Sequence, residues 1–129
     1  MTFGDYLKKL REEKGFGIRE LARLSGQDPA YIHRLESGAK VSPSADVLKT
    51  IVRSLKVSER RQRVLSLLAD QGEVDAALVS LVLRKEEILM VDFESAAKAS
   101  FRGNRPKTEE QWEKFIDGIR QARESFERG

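Results

Sequence analysis

Apolar residues recur along this chain at intervals of three and four, the spacing that places them on one side of a helix. Phe3, Leu7 and Leu10 predict a first helix, capped by Thr2 and ending near Lys14-Gly15. Ile18, Leu21, Ala22 and Leu24 predict a second, with Gly17 as a weak N-cap and Ser25-Gly26 as its end, because glycine tolerates a left-handed turn. Asp28 followed by Pro29 restarts a helix: the carboxylate caps free N–H groups, and a proline at the first helical position loses no hydrogen bond. In this third helix Ile32 and Leu35 face inward, Pro29, Ala30, His33, Arg34 and Ser37 face outward, and Gly38 stops the run. Ser44 caps a fourth helix with Val47, Leu48, Ile51, Val52 and Leu55 inward, and Ser58 caps a fifth with Val64, Leu65, Leu67 and Leu68 inward.

Gln71-Gly72 breaks the pattern, and a domain junction is expected there, separating residues 1–70 from 73–129. Beyond it the pattern predicts helices from about Val74 to Leu83, from about Asp92 to Phe101, and from Thr108 to Phe126. Thr108 with Gln111 forms a capping-box pattern directly after Pro106. Trp112, Phe115, Ile116, Ile119, Ala122 and Phe126 make one stripe on the last helix, more apolar surface than a 59-residue segment can readily bury alone. The expected architecture is all-α, five helices followed by a small domain of three.

Charge sharpens this division. Residues 1–70 carry 14 Lys and Arg against 9 Asp and Glu, residues 71–129 carry 10 against 12, and the whole chain is +3. The positive half is the one with the tight two-helix element, as counterion release from DNA requires. With no cysteine there is neither a disulfide nor a thiolate metal site, which suits a reducing cytoplasm. No apolar run approaches the ~18 residues of a membrane span, and the first residues lack a basic-then-apolar pattern, so neither a membrane span nor a signal sequence is expected. One histidine and no cysteine leave no Cys-His pair, no His-Glu-x-x-His zinc helix and no glycine-rich phosphate loop, so an enzyme, a metal site and a cofactor are not expected. His33 has no partner histidine or cysteine and reads as a phosphate or solvent contact.

The segment Gly17 to Gly38 is two short helices joined by a tight turn with a polar face left over. Residues 3 to about 57 resemble the Cro/repressor-type (XRE family) helix-turn-helix domain of bacterial and phage regulators, through Leu21-Ala22, Gly26, Ile32, Leu35-Glu36, Gly38, Pro43 and the set Leu48, Ile51, Leu55. In that family the second motif helix enters the major groove and the first crosses the backbone. The resemblance implies that Pro29, Ala30 and Arg34 stand where bases are read and Arg19, Ser37 and Lys40 where phosphates are held. The whole implied DNA-binding set is Arg19, Gln27, Asp28, Pro29, Ala30, Tyr31, His33, Arg34, Ser37 and Lys40, and the partner is double-stranded DNA with a pseudo-palindromic operator. Ile18 stands where the family usually has glutamine, so the resemblance implies that Arg34 is expected to carry more of the readout, by a bidentate bond to guanine. The resemblance also implies a partly buried ion pair between Arg11 and Glu36.

A second resemblance covers the C-terminal segment. Ala77-Leu78-Val79-Ser80-Leu81-Val82, Asp92-Phe93, Phe101-Arg102-Gly103-Asn104-Arg105-Pro106-Lys107, Trp112 and Ile116 resemble the C-terminal domain of the DdrO-type repressors of the Deinococcus radiation response. There the C-terminal helices make the dimer, and a separate zinc metallopeptidase of the ImmA/IrrE class cuts the repressor before the Arg-Gly-x-Arg-Pro element. The resemblance implies cleavage at Phe101–Arg102 and a homodimer interface including Leu78, Leu81, Phe93, Trp112, Phe115, Ile116 and Ile119. The residues themselves make Arg102 to Lys107 a basic turn with Gly, Asn and Pro, which by itself reads first as an ordinary interhelical loop, and only the resemblance sets cleavage level with that reading. The expected function is a dimeric, cytoplasmic, nucleoid-associated repressor. The alternative is an antitoxin or immunity-type adaptor whose C-terminal domain silences a partner protein. A self-cleaving repressor is not expected, since 59 helical residues cannot supply a β-rich serine-lysine protease domain.

Overall fold

The computed structural model describes residues 1–40 and 42–129, and the described residues form eight helices and no strand. The chain divides into two compact units, Met1–Glu73 and Val74–Gly129.

In the first unit α1 (Phe3–Glu13) begins with a reciprocal capping box. Thr2 Oγ1 accepts the Asp5 N–H at 3.1 Å and Asp5 Oδ2 accepts the Thr2 N–H at 3.0 Å. Those bonds hold the Asp5 carboxyl below its ordinary pKa. Next come α2 (Ile18–Ser25), α3 (Pro29–Ser37), α4 (Ala45–Leu55) and α5 (Glu59–Gln71). Helix α2 packs on α3 and α4, and α1 packs on α3 and α5. Gly4 sets how closely α1 approaches α3: a Cβ there would lie 2.2 Å from the Leu35 carbonyl oxygen, a distance no methyl group occupies. The core is Phe3, Tyr6, Leu7, Leu10, Leu21, Ile32, Leu35, Ile51, Leu55 and Leu65, each at most 1% exposed. Burying each of these large side chains is worth about 1.5–3 kcal/mol.

The caps at Thr2, Asp28, Ser44 and Ser58 form as the sequence predicts, and Gly26 (φ 69°) and Gly38 (φ 85°) adopt the left-handed conformation. Three details differ. Leu24 is 41% exposed, because α2 meets α3 and α4 through Leu21 and Ala22 and turns Leu24 away. Val47, Leu48 and Val52 are only half-buried, since Ile51 and Leu55 are the residues of α4 that enter the core. Tyr6 is buried beside the expected stripe, and its Oη has no hydrogen-bond partner among the described residues.

The second unit is three helices, α6 (Ala76–Arg84), α7 (Met90–Lys98) and α8 (Glu109–Arg128), packed pairwise. Helix α6 starts two residues later than the sequence suggests because Asp75 caps it, accepting the Ala77 N–H at 2.9 Å. The other Asp75 oxygen accepts the Trp112 indole N–H at 3.2 Å, so one carboxylate fixes both a helix start and the largest core side chain. Helix α7 ends at Lys98, leaving Phe101 outside it, while the expected Thr108–Gln111 capping box opens α8. The expected stripe of α8 divides: Trp112 and Ile116 are buried, Phe115 and Ile119 half-buried, Ala122 exposed and Phe126 89% exposed. Arg123 takes a place on the inner face and grips the buried Asp92 with two bonds, Nε–Oδ1 2.8 Å and Nη2–Oδ2 3.0 Å. These bonds, with burial opposing, raise the Arg123 guanidinium further above its ordinary pKa.

Candidate nucleic-acid interface

Helix α3 presents a short, rigid polar face. Asp28 caps it by accepting the Ala30 N–H at 2.7 Å, and Pro29 occupies its first position. Ile32 and Leu35 are wholly buried, which fixes the helix's rotation and leaves Asp28, Pro29, Ala30, His33, Arg34 and Ser37 exposed. Tyr31 is half-buried, and the Arg34 guanidinium lies over its ring, 6.0 Å from the centroid, a long cation–π distance from which an arginine is easily drawn away. Gln27 is half-buried in the turn, its amide donating to the Ser25 carbonyl at 3.4 Å. Ser37 Oγ donates to the Arg34 carbonyl at 3.3 Å, and the Lys40 N–H donates to the same carbonyl at 3.0 Å. Lys40 is thereby tied to the end of α3 with its side chain exposed. Arg19 is exposed in the first turn of α2.

Behind this face stands the ion pair that the first resemblance implies. Arg11 Nε donates to Glu36 Oε2 at 2.7 Å and Nη2 to Oε1 at 2.9 Å, with side chains 10% and 6% exposed. Arg11 Nη1 also donates to the Phe16 carbonyl at 2.8 Å, so one guanidinium ties α1 to α3 and to the segment leading into α2. The Glu36 bonds outweigh burial and raise the Arg11 pKa further.

In the second unit, Phe101 is half-buried and Arg102 exposed. The Phe101 ring packs edge-on to Trp112 at 5.9 Å and tilted on Phe115 at 5.0 Å. Arg105 lies over the Phe101 and Trp112 rings at 5.5 and 5.7 Å. The turn of Arg102, Gly103, Asn104 and Arg105 is thus exposed but fastened at both ends, an arrangement that the sequence reading missed because it depends on where α8 brings Trp112 and Phe115. Of the residues expected at a dimer interface, Leu78, Leu81, Phe93, Trp112 and Ile116 are buried within the chain itself, and Phe115 and Ile119 retain free surface. Among the described residues no helix is long and apolar enough to cross a membrane.

Fold and polar face together define a helix-turn-helix element on an all-α scaffold, and residues 2–65 match the family model of a helix-turn-helix domain. Curated relatives are similar over stretches of comparable length. The HTH-type transcriptional repressor RghR of Bacillus subtilis is 36% identical over 56 residues, 43% of this chain and 42% of its own length. An HTH-type transcriptional regulator of Mycobacterium tuberculosis is 38% identical over 55 residues, 43% of this chain and 39% of its own. The B. subtilis regulator SlrR is 33% identical over 54 residues, 42% and 36% of the two chains. The chain thus spans about two-fifths of the length of these relatives. The family match covers α1 to α4 and the start of α5.

Proposed function

We propose that the protein is a sequence-specific DNA-binding transcriptional repressor with two domains, residues 1–70 reading DNA and residues 73–129 holding two copies together. The observation that carries this reading is the outward face of α3. Six residues are exposed on a helix whose rotation is fixed by two wholly buried side chains and whose back is fastened to α1 by the Arg11–Glu36 pair. Pro29, Ala30 and Arg34 meet base edges, while Arg19, Ser37 and Lys40 hold phosphates; Gln27, Asp28, Tyr31 and His33 border the contact. One such helix covers few base pairs, so specific affinity calls for two half-sites about one helical turn apart and hence a two-fold dimer on a pseudo-palindrome. Cleavage at Phe101–Arg102 by a separate ImmA/IrrE-class metallopeptidase would remove α8 and release the operator without touching the reading surface. The exposed basic turn at 102–105 supports that site.

Binding of the purified chain to genomic DNA fragments identifies the operator, and titration of variants then tests the roles. Arg34→Ala is expected to reduce discrimination between operator and random duplex by about 1–3 kcal/mol. Lys40→Ala is expected to weaken both duplexes alike and to lower the salt slope by about one. An Arg34→Ala variant that loses equally on both duplexes overturns the base contact, and failure of the parent to select any duplex overturns the function.

A further inference from the structure

Between Lys98 and Lys107 the chain carries Lys98, Arg102, Arg105 and Lys107 and no acidic residue, although the half that contains them is acidic overall. The fold enlarges this run. Arg105 and Lys114 line one groove together with Phe101, Pro106 and Phe115, so α8 brings a further cation to the turn. Arg102, Arg105, Lys107 and Lys114 are exposed, and none of them makes an ion pair among the described residues. Two acids of α8 are engaged with α6 instead: Glu109 bonds to Arg84 at 2.8 Å, and Glu113 bonds to Lys85. Glu110, exposed one turn before Lys114, leaves the four cations and one carboxylate at net +3. Arg105 is already positioned. Its guanidinium lies over the Phe101 and Trp112 rings, 5.5 and 5.7 Å from their centroids, and makes no hydrogen bond among the described residues. The rings take the flat face of the fork, and the N–H groups at its edge stay available to two oxygens of one anion.

We propose that this patch is a second contact with the DNA backbone, in which Arg102, Arg105, Lys107 and Lys114 hold phosphates of the duplex whose bases α3 reads. The inference rests on the DNA-binding reading above and extends it to the second unit. Charge complementarity fits a duplex: cations set on a turn and on the helix after it meet a row of phosphates spaced about 3.4 Å apart along each strand. Delivery favours the duplex over an acidic protein. The second unit follows the first directly at Glu73–Val74, so DNA held by the first unit presents phosphates to the patch at high effective concentration, while a separate protein would have to be captured by the patch alone. Arg105, held by two rings, gives up little side-chain freedom on binding. Phosphate contacts carry no sequence information, so the patch adds affinity and salt dependence and leaves the choice of operator to α3. A chain ending at Phe101 lacks all four cations.

The test titrates the full chain against the selected operator and a random duplex over a series of salt concentrations. Arg102→Gln, Lys107→Gln and Lys114→Gln combined are expected to weaken both duplexes at least about tenfold at physiological salt and to leave the ratio between them unchanged. The slope of log affinity on log salt should fall by about 2–3 for each copy bound. Lys114→Gln alone should lower it by about one per copy. Arg128→Gln removes one charge from the far end of the same helix and should leave the slope unchanged. Melting midpoints should match the parent's in all three variants, since the replaced side chains are exposed. On the operator, ethylation of individual phosphates should interfere with the parent at two or three positions per copy where the triple variant is indifferent. A parent that binds no duplex overturns the DNA-binding reading and this inference together. A parent that binds DNA with a slope and an interference pattern that the triple variant shares overturns the inference alone. Equal flattening by Lys114→Gln and Arg128→Gln also overturns it, because charge anywhere on the unit would then suffice.

Discussion

Replacing Glu36 by glutamine keeps the size of the side chain and removes the charge that Arg11 faces. In the parent, three guanidinium N–H groups have acceptors, two on Glu36 at 2.7 and 2.9 Å and one on the Phe16 carbonyl at 2.8 Å. The variant's amide oxygen can accept one of the first two, while its NH2 turns a donor toward the other. Breaking a buried pair by removing one partner costs about 3–5 kcal/mol. The surviving Phe16 bond and the 10% exposure of Arg11 reduce this to ~2–3 kcal/mol. A unit of 73 residues has a total stability of about 4–11 kcal/mol at typical values per residue. The loss is therefore a large fraction of the whole, and at about 4–8 °C per kcal/mol the melting midpoint should fall by roughly 10–20 °C. Thermal melting followed by circular dichroism measures the shift, and hydrogen exchange of the α1 and α3 amides locates it. Glu20→Gln, which removes the partner of the exposed Arg23, serves as the control and should leave the midpoint unchanged. Arg11→Met combined with Glu36→Leu should recover much of the loss, because no buried charge is then stranded. A Glu36→Gln midpoint equal to the parent's would refute the reasoning, since the pair would then add nothing to the joint between α1 and α3.

Two further outcomes follow from single buried or clasped rings. The Tyr6 hydroxyl is pushed up to about 12 by burial, against about 10 in an unfolded chain. Between those values the unfolded state has lost a proton that the folded state keeps, so stability falls as pH rises from 10 to 12, and Tyr6→Phe should move alkaline unfolding to higher pH. At pH 7 the same variant should be neutral or more stable by ~1 kcal/mol, because the hydroxyl has no partner among the described residues; a loss of that size would show a bond that matters. Phe101→Ala removes the ring that fastens the 102–105 turn to α8, so tryptic cutting after Arg102 should quicken roughly tenfold. An unchanged rate would mean that the turn opens independently of the clasp.

Local chemistry alone made most of the helices legible. Asp28-Pro29, Ser44, Ser58 and the Thr108–Gln111 box are caps whose hydrogen bonds lie within three residues, so they need nothing from elsewhere in the chain. The buried Ile32 and Leu35 and the exposed face of α3 were readable for the same reason, since a short amphipathic helix declares its two sides by spacing. Whether a stripe residue is covered depends on the partner's position, and there the tertiary structure decided. Leu24 and Phe126 carry apolar side chains at helical spacing yet stay exposed, while Arg123 and Asp92, charged in sequence, lie against each other on an inner face. Asp75 reaches Trp112 across 37 positions, and Phe101, Arg105, Trp112 and Phe115 meet only because the chain turns back on itself between Ala99 and Thr108. Spacing fixes direction around one helix axis; the distance to a second axis is set by packing, and a local pattern carries no record of it.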